Sequence, residues 1–234
     1  MNLDAIPAWL MSLPDRVVAS FRNIEGELFR AGWETLYMTS VATVLAVLIG
    51  FCLAVLLIIT GPHGLKPNKR IYAILDVGIN LLRSMPFIIL IIALIDVTRF
   101  FMGTSIGTTA AIFPLTVAAA PFAARLIEGC FLEVDRGVVE AARSFGANRW
   151  QIILKVLLPE ALPALVLNIA VLAIALLGYS AMAGAVGGGG LGDLAYRIGY
   201  MRFQNDVTLW CVLLLMIMVQ IIQCLGNWAY RRLR

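Results

Sequence analysis

Residues 140–163 read EAARSFGANRWQIILKVLLPEALP, and within them Glu140-Ala141-Ala142, Gly146 and Leu158-Pro159 form the most constrained spacing in the chain. These residues offer contact rather than bond-making. One carboxylate can pair with a basic group, two small side chains permit close approach, and a glycine can end a helix in the left-handed conformation. The residues that could break bonds are poorly matched. Ser180, in Gly178-Tyr179-Ser180, has the look of a nucleophile, but a serine needs a base within reach. The single histidine, His63, and the three lysines, Lys66, Lys69 and Lys155, all fall on the opposite side of the membrane in the charge reading below. That weighs against an intramembrane serine protease. Gly187, Gly189 and Gly192 satisfy G-x-G-x-x-G, yet no strand precedes them and no G-K-[ST] follows, which argues against dinucleotide and Walker-type sites. Cys52, Cys130, Cys211 and Cys224 make no C-x-x-C pair, and with one histidine no metal site is expected. No residue is assigned a catalytic role and no cofactor is expected on the chain.

The elements that position these residues follow from composition. The chain is 61% hydrophobic and 14% charged over 234 residues, too apolar for a soluble domain of this size. Five segments have the length and hydropathy of spanning helices, near 36–60, 71–98, 106–128, 156–181 and 207–230, and none alternates as a barrel strand does. The expected organisation is an interfacial or periplasmic segment 1–34, a transmembrane region 35–230 with a loop at 129–155, and a basic tail 231–234. The net charge of +4 comes from basic residues scattered among apolar runs, which suits a membrane and not nucleic acid. Placing Lys66, Lys69, Arg70, Arg136, Arg143, Arg149, Lys155 and the terminal arginines inside puts the N-terminus out and the C-terminus in.

Asp135 is positioned to cap a helix starting at Arg136 and ending at Gly146, with Val138, Val139, Ala142 and Phe145 on one apolar side; Asn148 can cap the stretch that leads through Trp150 into the fourth span. Such a helix, rooted in a spanning helix, can turn an outside push into a tilt within the membrane. Arg83 in the second span costs about 2.5–3.5 kcal/mol at mid-membrane, so it faces protein or water. Two readings stand for Arg83, Ser84 and Met85: they border a path, or Arg83 anchors a neighbouring helix. Pro86 is expected to kink this span. Residues 182–206 are expected to form a tight, mobile glycine-rich turn that meets a docking partner, with Tyr179, Ser180 and Met182 before it either as a gate or as helix packing. Gln220, Gln223 and Asn227 share a face suited to interhelical hydrogen bonds, ahead of contact with substrate. Residues 13–30 read as an amphipathic helix, with Val17, Phe21, Ile24 and Leu28 on one face, lying on the membrane or packing on the bundle. An ion-driven secondary transporter is disfavoured, because only Arg83 is clearly mid-span and five helices do not halve.

The 140–163 stretch resembles the EAA loop of permease subunits from ATP-binding-cassette importers, with Val156 in place of the usual isoleucine. Trp33-Glu34-Thr35, RSMPFIILI (83–91), GTSIGTTAAIFPLTVAAAPFAARLIE (103–128), KVLLPEALPALV (155–166) and GYSAMAGAVGGGGLG (178–192) extend the likeness to the permease of bacterial methionine importers. The resemblance implies an all-α membrane protein with the five-helix core of type I importers in the bacterial inner membrane. It also implies a second copy of the chain around one path, two separate ATPase subunits that carry ATP and magnesium, and a periplasmic methionine-binding lipoprotein. Glu140, Ala141, Ala142, Phe145 and Gly146 would be the coupling residues and Met182 the closed gate. A permease for another amino acid or a quaternary amine is the nearest alternative.

Overall fold

The computed structural model describes residues 13–62 and 64–233. His63 and the side chain of Val17, both used in the sequence reading, lie outside the described residues. The described chain is helical throughout: α1 (Leu13–Thr60), α2 (Lys69–Ser84), α3 (Phe87–Ala93), α4 (Ile95–Met102), α5 (Thr108–Leu132), α6 (Arg136–Ser144), α7 (Arg149–Ile152), α8 (Leu158–Ala183), α9 (Gly190–Leu194) and α10 (Asn205–Leu233). Widened turns at Ile153–Leu157 and Ala195–Tyr200 join α7 to α8 and extend α9.

Four stretches are long and apolar enough to cross a membrane, Ile24–Thr60, Thr108–Leu132, Arg149–Gly188 and Asn205–Leu233, and a fifth passage is made by α2 and α3, bent by 102° at their junction. The sequence reading expected one kinked helix over 71–98; the structure breaks it. Pro86 has no N–H to continue the helix, and Met85 before it is driven to an extended conformation (φ −78°, ψ 128°). The broken segment still crosses the bundle, because its contacts march along α5. Ile79 packs with Ala124, the Arg83 guanidinium lies 5.9 Å from the Phe122 ring centre, Phe87 and Ile91 join Leu115 and Ile112, and Phe101 stacks on Phe113.

The centre is a seam of small residues. Ala42 and Ala46 of α1 meet Ala111, Ala119 and Ala123 of α5, with Leu172 and Leu176 of α8 closing the cluster. Lipid is as apolar as these side chains, so close packing and dispersion, more than water exclusion, hold such a seam together.

Three expectations change. First, α1 runs unbroken across the boundary expected at residue 34, and its Ile24, Leu28 and Ala31 bury against Leu191, Leu194, Ile198 and Val207, so this part packs on protein. Second, residues 182–206, expected as a tight, mobile turn, form packed helical elements. Gly188, Gly190 and Leu191 are buried, and α9 continues to Tyr200. Third, Gln220, Gln223 and Asn227 are exposed and pair with no helix among the described residues. They lie to one side of Gly226, which is buried against Ala170.

Candidate coupling helix and gate

The helix α6 is built as its sequence signals require. The Asp135 carboxylate accepts the Gly137 N–H at 2.6 Å, and at the other end Gly146 takes φ 80° while its N–H donates to the Arg143 carbonyl. Only glycine adopts that conformation at little cost, and it frees Ala147 N–H to reach the Ala142 carbonyl. Asn148 and Gln151 then cap α7 reciprocally, side chain to backbone, at 2.9 and 2.8 Å. Pro159 cannot donate a hydrogen bond, and the turn before it widens so that Leu158 N–H reaches Ile153. One continuous rod therefore leads from Arg149 into the bundle.

The helix sits on the end of the bundle. Val139, Ala142 and Ala147 pack against the cluster of Val134, Ile152 and Leu157, and Arg143 donates to the Gly64 carbonyl at 3.3 Å. Val138 and Phe145, expected on the same apolar side, instead point outward. Phe145 is 91% exposed and Trp150 62%, beside exposed Glu140, Ala141, Ser144 and Gly146. A phenylalanine so exposed in a polar segment wants a covering surface. Between α6 and the α1–α2 loop lies a cleft of about 590 Å³ whose polar lining includes Glu128, Arg136, Glu140 and Arg143.

Behind that cleft is a charged node that the sequence reading missed. Arg125 of α5 pairs with Glu128 at 2.7 Å and with Asp76 of α2, and donates to Asn80 at 3.3 Å. Its side chain is 17% exposed and that of Glu128 9%. Arg83 is thus not the only ion within the spans. The signal was available as Asp76-x3-Asn80 in one apolar run and Arg125-x2-Glu128 in another, since ions in spans seek partners.

At the gate candidates, the Tyr179 ring stacks on Phe87, with centres 4.8 Å apart and planes 8° from parallel. Ser180 is 1% exposed and its hydroxyl donates to the Leu177 carbonyl at 2.7 Å, so it faces the subunit's own packing. Met182 is 47% exposed. Arg83, Ser84 and Met85 lie on the exposed side of the α2–α3 break, with Ser84 donating to the Leu81 carbonyl at 2.8 Å. The structure therefore brings Tyr179 to the break, two residues after Met85, and leaves Met182 open while burying Ser180.

Residues 46–234 match the family model described as the binding-protein-dependent transport system inner membrane component. A Vibrio cholerae protein named probable D-methionine transport system permease protein is 48% identical over 205 residues, covering 88% of this chain and 91% of that one. The methionine import system permease protein of Bacillus subtilis is 47% identical over 208 residues, 88% and 94% of the two chains. A chain from the inward-facing methionine ABC transporter superposes with a TM-score of 0.89 at 45% identity, covering 91% of this chain and 98% of its own. The chain belongs to the family of binding-protein-dependent transport system inner membrane components.

Proposed function

We propose that this chain is the permease subunit of an ATP-driven importer of methionine in the bacterial inner membrane. Two copies form one translocation path, and each presents α6 to a separate ATPase subunit that carries ATP and magnesium. The α6 end is cytoplasmic, which puts the N-terminus outside and the C-terminus inside. A methionine-binding lipoprotein delivers substrate at the opposite end. Glu140, Ala141, Ala142, Phe145 and Gly146 meet the ATPase, and Met182 closes the path.

The observation that carries this reading is the outward face of α6, a capped helix seated on the bundle with Phe145 bare. The relatives named for methionine transport support the substrate. Movement of the ATPase surface tilts the rod Arg149–Ala183, at whose far end Tyr179 and Met182 lie, and so shifts the bundle between two states. The chain itself does no bond chemistry.

The test is purification of the tagged chain from its native membrane in mild detergent. The expected result is an ATPase at a one-to-one ratio and, after reconstitution with the binding protein, methionine uptake that stops without ATP. A chain that purifies alone and moves methionine without ATP overturns the reading.

A further inference from the structure

At the end of the bundle opposite α6, a cavity of about 250 Å³ opens between α4, the start of α5 and the break after α8. Its walls are apolar, with Ile91, Ile95, Ala110 and Pro114 facing the Val186–Gly188 backbone. Thr98 lines it, is 3% exposed, and carries the one buried side-chain oxygen without a hydrogen-bond partner among the described residues. The contrast with the other buried hydroxyls is complete. Thr35, Thr39, Thr43, Thr60, Thr116 and Ser180 each donate to a carbonyl three or four residues back. Thr98 does not, although its backbone N–H bonds Leu94 normally at 2.7 Å. An unmade hydrogen bond at a buried group costs about 1–3 kcal/mol. Arg99 is the only charged residue on the lining among the described residues. Its neighbour Asp96 is 4.0 Å away and almost fully exposed, an arrangement that holds the guanidinium weakly.

A largely apolar slot lined by two hydroxyls, Thr98 and Ser105, and by one cation selects a short apolar chain that ends in a carboxylate. A fatty acid has that chemistry, and so does an apolar amino acid, whose ammonium group the hydroxyl oxygens of Thr98 and Ser105 are there to accept from. At about 30 Å³ per water-sized group the slot takes roughly eight non-hydrogen atoms, too few for an acyl chain. We propose that this cavity binds a small apolar amino acid of the transported class, with its side chain against Ile91 and Pro114, its carboxylate toward Arg99, and Thr98 supplying a hydrogen bond. This rests on the import function proposed above. The cavity is a holding site beside the gate helix, because its Val186–Gly188 wall begins four residues after Met182.

The experiment uses the chain purified with its ATPase and without the binding protein, and measures equilibrium binding of radiolabelled methionine. The expected result is saturable binding displaced by unlabelled methionine and not by glycine. Thr98→Val weakens it by about twofold to tenfold, the worth of one hydrogen bond, while the melting temperature holds or rises because an unpaired hydroxyl is gone. Arg99→Gln also weakens it. Absence of saturable binding, or wild-type affinity in Thr98→Val, overturns the proposal. So does a lipid found by mass spectrometry on the wild type, lost in Arg99→Gln and not displaced by methionine. ATP-driven uptake with the binding protein is read separately, and if it persists when binding is absent, only this inference fails.

Discussion

The carboxylate of Glu34 accepts the backbone N–H of Gly190 at 3.0 Å, across 156 residues of chain. Thr35 beside it accepts the N–H of Leu191 at 2.9 Å. Two free donors at the start of α9 are therefore capped by another helix, and the glycine-rich segment is tied to α1 from within the subunit. Gly190 is required there twice over. Its φ is 76°, and an added Cβ would lie 2.6 Å from both the Thr35 hydroxyl oxygen and the Met38 methyl. Glu34→Ala is expected to cost about 1 kcal/mol, the usual loss of an N-cap. Gly190→Ala is expected to cost more, because strained backbone alone costs about 1–3 kcal/mol. Thermal unfolding of the purified chain reads both; equal melting temperatures for Gly190→Ala and the wild type would show that the contact is dispensable.

Arg125 holds two carboxylates from two helices, and its removal strands both. Arg125→Gln is expected to destabilise by about 3–5 kcal/mol, as breaking a buried pair does. The companion expectation is sharper. Replacing Arg125, Asp76 and Glu128 together by Met, Asn and Gln should recover most of that loss, because buried ion sets exchange for uncharged ones at little net cost. Melting temperatures of the single and triple variants check this. A triple variant as unstable as the single would mean that the charges themselves are needed.

Phe145 touches little of its own subunit, so Phe145→Ala should leave the melting temperature within the shift expected of a surface change, about 0.5 kcal/mol. If Phe145 fills a pocket on the ATPase, the same substitution removes an interface anchor worth about 2 kcal/mol or more, some thirtyfold in affinity. The measurement is the amount of ATPase retained on the tagged chain across a dilution series. Val139→Ala on the inward side should reverse the pattern, lowering stability first.

Much of this was legible in the residues. Asp135, Gly146 and Asn148 announced the ends of α6 and α7 because caps and left-handed glycines are local chemistry. The order and number of passages followed from hydropathy. Local rules failed where a partner distant in sequence decides the outcome. The glycines of 182–206 read as a tight, mobile turn because nothing in those residues reveals that Glu34 and Thr35 will cap the N–H groups of Gly190 and Leu191. Arg125 was passed over because its neighbours Ala124 and Leu126 made the span look ordinary, and its partner Asp76 lies 49 residues away. Pro86 predicts a kink, but how far the chain turns there depends on the packing of Phe87 against Tyr179 and Leu115, which no local rule reveals.

The stack of Phe87 on Tyr179 joins α3, the second half of the broken passage, to the last turns of α8. Conservative leucine variants keep much of the apolar volume and lose the ring pair, worth about 0.5–1.5 kcal/mol beyond buried area. Phe87→Leu and Tyr179→Leu should therefore be non-additive, the double variant being less destabilised than the sum of the singles by about that amount. Thermal unfolding of all four proteins gives the coupling energy. α3 follows α2 across the Met85–Pro86 break, and the stack ties it to α8 beside the packing of Phe87 and Ile91 against Leu172 and Leu176. Its loss should raise ATP hydrolysis measured without binding protein in the assembled complex, as the resting state loses one of its fastenings. Strict additivity of the melting data, together with unchanged basal hydrolysis, would show that the two rings lie side by side without holding each other.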